Sequence, residues 1–423
     1  MKQWRPGMGD RGRGTRKAGR VPRPMSHVPH LIALALLIAL GCAAITTSLP
    51  VLQHAPRPDQ RPQPPTVTEA HGYADYTGVL HVHTTYSHDA HGLFSDVVRV
   101  TNAQHIDFAT ITDHNTLAAL RDGLQGWHGE TLVLVGEELS TRSGHYLALN
   151  VHEEVDKDKR STQQVIDDVN RQGGLGFIAH PFFKTARWRD WTVTGFTGIE
   201  GYNVAHDTLD ENKVRLALWT LTVPAEPFYY SILDRPYDPL ATWDRLISER
   251  GHITGIGSTD AHEFHAMGLK FAPYEIMFQL ARTHVLIPSR TLTDAGIYDA
   301  LRRGHAYFSI ELVAQAKGFM FSAMDGNTLA GIMGDDVTLT DHLTLNASLP
   351  TAAQLTLFHD GRAIASKTGA SWQVPVTAPG AYRLEAARHG KPWIFSNPIY
   401  VRPQNVPSTS QTLPPEPTSD RAS

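Results

Sequence analysis

The sequence predicts an α/β domain with mostly parallel strands closed into a barrel, followed by a small antiparallel β-sandwich. Three observations carry this. Short apolar runs alternate with helical patterns from residue 77 to about 313, the rhythm changes to strands alone after Ala316, and histidines and carboxylates gather where the strands of the first part end.

At 423 residues, 41% of them apolar, the chain can build two domains with extensions. In residues 1–50, eight Lys and Arg precede an uncharged apolar stretch, LIALALLIALGCAAI, at positions 31–45. This reads as a secretory signal or a single anchor helix, since about 20 apolar residues span a bilayer and the basic side stays in the cytoplasm. The only cysteine, Cys42, follows Leu40 and Gly41, an order that resembles the cleavage site of bacterial lipoproteins. The expected location is therefore the extracytoplasmic side of the cell envelope, anchored to the membrane through lipidated Cys42 or through the helix. A single thiol excludes an internal disulfide. Residues 51–76 are rich in proline and should form an extended linker, and residues 403–423 a disordered tail of the same character.

The formal charge of −4 hides an asymmetry: beyond residue 41 there are 30 basic against 41 acidic side chains. No stable nucleic-acid partner is expected of so acidic a body, because phosphate contacts come largely from Lys and Arg.

Residues 77–315 hold the first domain. GVLHVH, FATITDH, TLVLVGEEL, HYLALNV, GFIAHP, GIEGYN and ITGIGSTDAH read as strands, with FSDVVRVTNAQ and STQQVIDDVNRQG as helices among them. Residues 316–402 hold the second. There Leu355/Leu357 and Tyr382/Leu384/Ala386 alternate, and each run ends in a turn pair, Asp360-Gly361 or His389-Gly390.

His81 and His83 lie two apart on a predicted strand, so both should project to one side. Asp260 and His262 repeat that spacing, while His114, Glu138 and His180 each close another strand. In α/β barrels this is the face on which active sites are built. Buried imidazoles and carboxylates crowded together are costly unless something satisfies their lone pairs, and a divalent cation does so. His81, His83, His88 or Asp89, His114, Glu138, His145, His180, Asp260 and His262 make nine groups, whereas one Zn²⁺ takes about four. Two or three ions are implied. A carboxylate such as Glu138 can bridge two of them, and a shared hydroxide makes hydrolysis the expected chemistry.

HVHTTYS, the TDH of residues 112–114, GEELS of 136–140, AHP of 179–181 and TDAH of 259–262 resemble, in that order, the motifs of the PHP superfamily, named for polymerase and histidinol phosphatase. The likeness covers residues 77 to about 310. Within it the chain is most similar to the secreted or membrane-attached carbaryl-hydrolase-like branch, whose members often end in a phrase like WIFSNPIYV, here residues 393–401. The resemblance implies a distorted (β/α)₇ barrel with two or three Zn, Mn or Fe ions at its mouth. It places His81, His83 and Asp260 on one ion, Glu138 as the bridge, and His145 and His180 on the second. His114 and His262, with a residue of the opening run, would hold the third. The family commonly reads Ser-Asp-Gly where this chain has Ser87-His88-Asp89-Ala90, so either His88 or Asp89 is the remaining ligand, with Asp89 favoured.

The leading expectation is a phosphoesterase acting on a small-molecule phosphate ester, with Asp260 or His262 as the catalytic group that moves the proton. Lys184 and Arg187, with Arg189, would clamp the phosphate, while Asp113 and Glu200 would orient ligands from behind. A carbamate, amide or ester hydrolase would use the same centre with a more apolar pocket, which the aromatic-rich stretch from Trp188 to Tyr230 suits. From a different class, the chain could be an envelope lipoprotein that binds metal or a partner without turnover.

Overall fold

The structure, a computed structural model, describes residues 67–68, 72–204, 225–266 and 269–404. All of them belong to the compact unit Pro56–Ser423. The basic N-terminal segment, the apolar run with Cys42, most of the linker and most of the tail lie outside the described residues. Among the described residues no helix is long and apolar enough to cross a membrane.

β1 (Val67–Thr68) pairs antiparallel with β2 (Tyr73–Val82), which is buried from Ala74 onward. α1 (Phe94–Ala103) returns the chain to β3 (Phe108–Ile111), parallel to β2. α2 (Ala118–Arg121) and β4 (Gly126–His128) lead to β5 (Thr131–Val135), parallel to β3. β6 (Glu137–Thr141) and β7 (Gly144–Leu149) form a hairpin around Arg142 and Ser143. Its turn needs Gly144, whose φ of 134° is closed to a side chain and whose Cβ would stand 3.0 Å from the Ala186 carbonyl oxygen.

α3 (Thr162–Arg171) starts in a capping box between Ser161 and Gln164 and buries Val165, Ile166 and Val169. It delivers β8 (Leu175–Ile178), antiparallel to β7, and then β9 (Gly198–Asn203), parallel to β8. α4 (Ala225–Ile232) and α5 (Tyr237–Arg250) precede β10 (Thr254–Ser258), parallel to β9. A short hairpin, β11 (Phe264–Ala266) with β12 (Leu269–Phe271), and α6 (Tyr274–Leu280) lead to β13 (Arg282–Ile287), which runs antiparallel to β2.

After α7 (Asp294–Arg303), β14 (Ala306–Ser309) pairs with β13. The remainder is all strand: β15 (Met320–Asp325), β16 (Thr328–Ile332), β17 (Asp336–Thr338), β18 (Leu343–His359), β19 (Arg362–Pro375), β20 (Gly380–Arg388), β21 (Lys391–Ser396) and β22 (Ile399–Arg402). It closes over its own core, which includes Phe321, Leu345, Leu357, Leu384 and Trp393.

Three expectations change. Strands are not mostly parallel, because GEELSTRSGHYLAL is one hairpin whose two-residue connection can only join antiparallel neighbours. The C-terminal strands are continuous with the first sheet, since the outer edge of β14 accepts β21 and an open edge is thereby covered. Among the described residues the ladders also do not close into a ring. A 15-stranded sheet contains β2, β3 and β5, and a separate five-stranded sheet runs β10-β9-β8-β7-β6.

The two sheets meet at one end through two single bridges, Val82 with Ala261 and His114 with Glu138. Backbone hydrogen bonds lace the same places: His83 N–H to Ala261 O at 2.9 Å, and Asn115 N–H to Glu138 O at 2.9 Å.

Far from that end, Asp75 and His284 are fully buried between β2, β13 and β14, with Oδ1 and Nδ1 at 2.9 Å. The other oxygen of Asp75 accepts from the Tyr307 hydroxyl and the Gly318 N–H, each at 2.6 Å. The second ring nitrogen of His284 faces Ser309 Oγ at 3.2 Å and Glu311 Oε1 at 3.5 Å.

Candidate metal centre

The site lies where the two sheets are bridged. His81 is near the end of β2, where pairing with β3 slips between Val79 and Val82 and His81 adopts a φ of 60°. Simple alternation therefore does not align His81 with His83; a bulge and a left-handed residue do. Asp260 at φ 50° and His180 at φ 24° are left-handed too. Each such residue costs on the order of 1–3 kcal/mol, and three of them at one spot mark a place where side-chain direction outweighs backbone comfort.

Glu138 is the hub. Its Oε1 lies 2.8 Å from His145 Nδ1 and 2.9 Å from His180 Nε2. Its Oε2 lies 3.2 Å from His81 Nε2, 3.1 Å from His83 Nε2 and 3.1 Å from His114 Nδ1. Asp260 Oδ1 stands 3.4 Å from both His81 Nε2 and His83 Nε2, and 3.5 Å from His262 Nδ1. Asp89 approaches from the rim, with Oδ2 3.3 Å from His114 Nε2 and Oδ1 3.7 Å from His262 Nε2. Three groups have ligand atoms close enough to share a metal ion: His81, His83, Glu138 and Asp260; His114, Glu138 and His145; and His83, His114 and His262.

Whether these residues fit a cation is decided by their lone pairs. His81 Nδ1 contacts Glu200 Oε1 at 2.7 Å, His83 Nδ1 contacts Ser87 Oγ at 3.0 Å, and His262 Nδ1 contacts the Asp260 carbonyl oxygen at 2.9 Å. If Nδ1 carries the hydrogen in each, as these acceptors favour, the bare Nε2 lone pairs turn inward. There His81 Nε2, His83 Nε2, His114 Nδ1 and Glu138 Oε2 are buried with no well-aligned hydrogen-bond partner, although each of the three nitrogens lies within 3.2 Å of Glu138 Oε2. Atoms that converge without bonding to each other are what a shared cation satisfies.

The supports extend further back. Glu200 Oε2 accepts from the His180 N–H at 2.5 Å and from Asn203 Nδ2 at 2.8 Å. Asp113 accepts from the Ser87 hydroxyl at 2.9 Å and the Thr84 N–H at 2.7 Å, fixing the residue that meets His83.

Charge follows the same geometry. Burial pushes the Glu138 carboxyl up, but His81, His145 and His180 around it win and hold it well below the usual range. Asp260 behaves alike, with burial opposed by His81, His83, His262 and His180. Burial lowers His83, yet Asp260 and Glu138 raise it to about 9, so a proton competes with a cation for the lone pair that faces them. His114 is pushed down to about 4, chiefly by burial.

The structure thus brings together His81, His83, Asp89, His114, Glu138, His145, His180, Asp260 and His262. His88 is left out: its side chain is 78% exposed, and its Nε2 is 3.8 Å from Asp89. His91 sits at the rim, its Nδ1 accepting from the His265 N–H at 2.9 Å. Glu137, on the opposite face of β6, accepts from the Val155 N–H at 2.9 Å.

A cavity of about 560 Å³ opens over Glu138, Asp260 and His262. Lys184, Arg187 and Arg189 are exposed and do not line it; Arg187 lies over the Phe182 ring at 5.5 Å. The same segment turns Phe183, Thr185 and Ala186 to the cavity, and the three basic side chains expected to clamp a phosphate lie outside its described lining. Phe228, Tyr229, Phe264, Phe271 and Met277 also line it, and no Lys or Arg is among the described lining residues. Phe264 also stacks on the His262 ring, with centroids 5.5 Å apart and planes 10° from parallel. Of these residues the sequence suggested only Phe228 and Tyr229, within the aromatic stretch. Ser87 and Asn203 were not foreseen, although a serine four residues after His83 was a usable signal.

No family profile matches the sequence, and no curated protein does. Among solved structures, a two-domain protein of Bacteroides vulgatus containing a predicted PHP-like metal-dependent phosphoesterase is 15% identical, over 80% of this chain and 99% of that one, with a TM-score of 0.42. PsfC of Pseudomonas syringae is 14% identical, over 52% of this chain and 85% of its own, with a TM-score of 0.33. Both likenesses are loose, and the chemistry of the site stands on its own atoms.

Proposed function

We propose that this chain is a metal-dependent hydrolase of PHP type. The observation that carries the reading is the set of buried, partnerless lone pairs on His81, His83, His114 and Glu138. His81, His83, Glu138 and Asp260 would hold one divalent cation, and Glu138 with His145 and His114 another; His180 adds a donor beside Glu138. His83, His114 and His262, with Asp89, form a third group. Bound there, such cations supply a water acidic enough to be deprotonated near neutral pH and a Lewis acid for the substrate's oxygen.

The chain's own residues do the rest. Glu200, Ser87 and the Asp260 carbonyl fix the ring orientation of His81, His83 and His262. Asp260 is kept ionised by the imidazoles around it and lines the cavity, so it is placed to take a proton; His262 lines the cavity beside it. The aromatic wall excludes water and receives the apolar part of a substrate.

The order of the PHP-like motifs supports a phosphoester. The apolar wall, with no Lys or Arg among its described residues, favours the second reading, a carboxyl or carbamate ester. Bis(4-nitrophenyl) phosphate, 4-nitrophenyl phosphate, 4-nitrophenyl acetate and an aryl carbamate, offered to Mn²⁺- or Zn²⁺-loaded protein, separate them by which turns over fastest. Turnover should vanish on chelation and return with metal. Protein with its metal bound and inert on all four substrates would overturn both readings and leave a binding role.

The basic and apolar N-terminal pattern supports a place in the cell envelope, with Cys42 as the attachment point. Mass spectrometry of membrane-extracted protein should then find a chain that starts at lipidated Cys42; an intact, unmodified N-terminus would refute the lipid attachment and favour the anchor helix.

A further inference from the structure

The C-terminal strands reach the cavity through α4. Phe228 and Tyr229 of this helix form part of the cavity wall, yet the helix is held from behind by residues that do not touch the cavity. The last carbonyls of any helix lack partners within it. Here the Ser231 carbonyl, and that of Leu233 just beyond the helix, both accept from Lys391 Nζ at 2.9 Å. Lys391 opens β21, and its ammonium lies 5.8 Å from the centre of the Tyr230 ring. A cation at this end of a helix is also favoured by the helix dipole.

Two residues further on, Arg235 makes a two-pronged pair with Glu385 of β20, Nε to Oε2 and Nη2 to Oε1, each 2.7 Å. Glu385 is itself fixed by Arg383 at 2.5 Å, and Arg383 grips Asp244 of α5 through two bonds of 2.6 Å. The segment that follows α4 is thus tied to charge pairs of the C-terminal strands, and Arg235–Glu385 and Arg383–Asp244 are two-pronged, which fixes direction as well as distance.

We propose that Lys391 is a positioning residue that presses α4 against the cavity and thereby sets the affinity for substrates with a bulky apolar group. This rests on the cavity being the substrate site. The alternative, that these bonds only fasten the C-terminal strands to the rest of the fold, would lower stability without discriminating between substrates.

The test uses the full chain loaded with Mn²⁺. Lys391→Met keeps the apolar stem and loses both bonds; Lys391→Arg keeps donors. Losing hydrogen bonds from a charged donor should weaken binding of 4-nitrophenol and raise KM for phenyl acetate by about tenfold. Metal content, kcat, and KM for ethyl acetate should stay within about twofold of the parent, and amide exchange should quicken in α4 but not in β20. Lys391→Arg should recover most of the loss. Equal changes in KM for both esters, or unchanged 4-nitrophenol binding with a loosened helix, would overturn the proposal. If the parent protein hydrolyses neither ester, the ester-hydrolase reading fails separately, and 4-nitrophenol binding with amide exchange still decides the role of Lys391.

Discussion

Replacing Glu138 by alanine is expected to remove bound metal and turnover together while leaving the fold in place. No other carboxylate in the site meets five imidazole nitrogens within 3.2 Å, and its Oε1 and Oε2 face different sets of histidines. Two of the three candidate metal groups would go with it or lose a ligand. Supporters one step removed, such as Glu200 behind His81, should cost about 10–100-fold in metal affinity when truncated, so losing Glu138 should cost more than about a hundredfold. The fold should survive because, without that carboxylate, burial favours neutral imidazole, and neutral rings leave no uncompensated charge. Metal analysis, turnover and circular dichroism at pH 8 on Glu138→Ala, with Glu200→Ala beside it, check this. Full metal content and activity in a folded Glu138→Ala protein would remove the hub from the scheme.

The second large effect is on stability. Asp75→Ala should destabilise the chain by about 3–5 kcal/mol, because it strips one partner from a buried pair and leaves His284 facing Glu311 and the hydroxyls of Ser309 and Thr77. That is a large share of the ~5–15 kcal/mol that holds a typical domain together. Burial pushes the Asp75 and Glu311 carboxyls up, but His284 and their hydrogen bonds outweigh it and both are lowered. Burial lowers His284, and the two carboxylates outweigh that and raise it. The carboxylates therefore add stability above their ordinary value near pH 4, lost as pH falls through their depressed values. His284 adds stability that is complete below about pH 6.5 and lost as pH rises through its raised value. The gap in melting temperature between parent and Asp75→Ala, measured with chelator present, should thus be widest between about pH 4.5 and 6.5 and should narrow on either side. A gap independent of pH from 3 to 9 would mean that packing, not charge, holds this spot.

Much of the cluster was legible because its residue types are costly to bury for any other purpose. His81, His114, Glu138, His180 and Asp260 each close an apolar run, and that position alone suggested a common destination. Periodicity could not show how they get there, since His81 relies on a bulge and a left-handed backbone that no alternation rule encodes. Lys184 and Arg187 illustrate the complementary limit: charge is visible in a sequence, but the direction of a loop is set by its tertiary contacts, and here the loop gives Phe183 and Ala186 to the cavity. The hairpin of β6 and β7 is signalled by its short connection, although its two apolar runs taken singly read as separate strands. The attachment of β21 to β14 was not readable, because either edge would satisfy an alternating strand.

The two bridges between the sheets fall at Val82 with Ala261 and at His114 with Glu138, beside or on the residues that crowd the mouth. Within each sheet neighbouring strands are held by whole ladders, whereas among the described residues the two sheets share these two bridges and the few backbone bonds beside them. An ion drawing His83 and Asp260 together, or His114 and Glu138, would act as a rivet across a join that the backbone barely closes. Such an ion would then belong to the architecture of this one join, tightening it without being needed for the cores on either side.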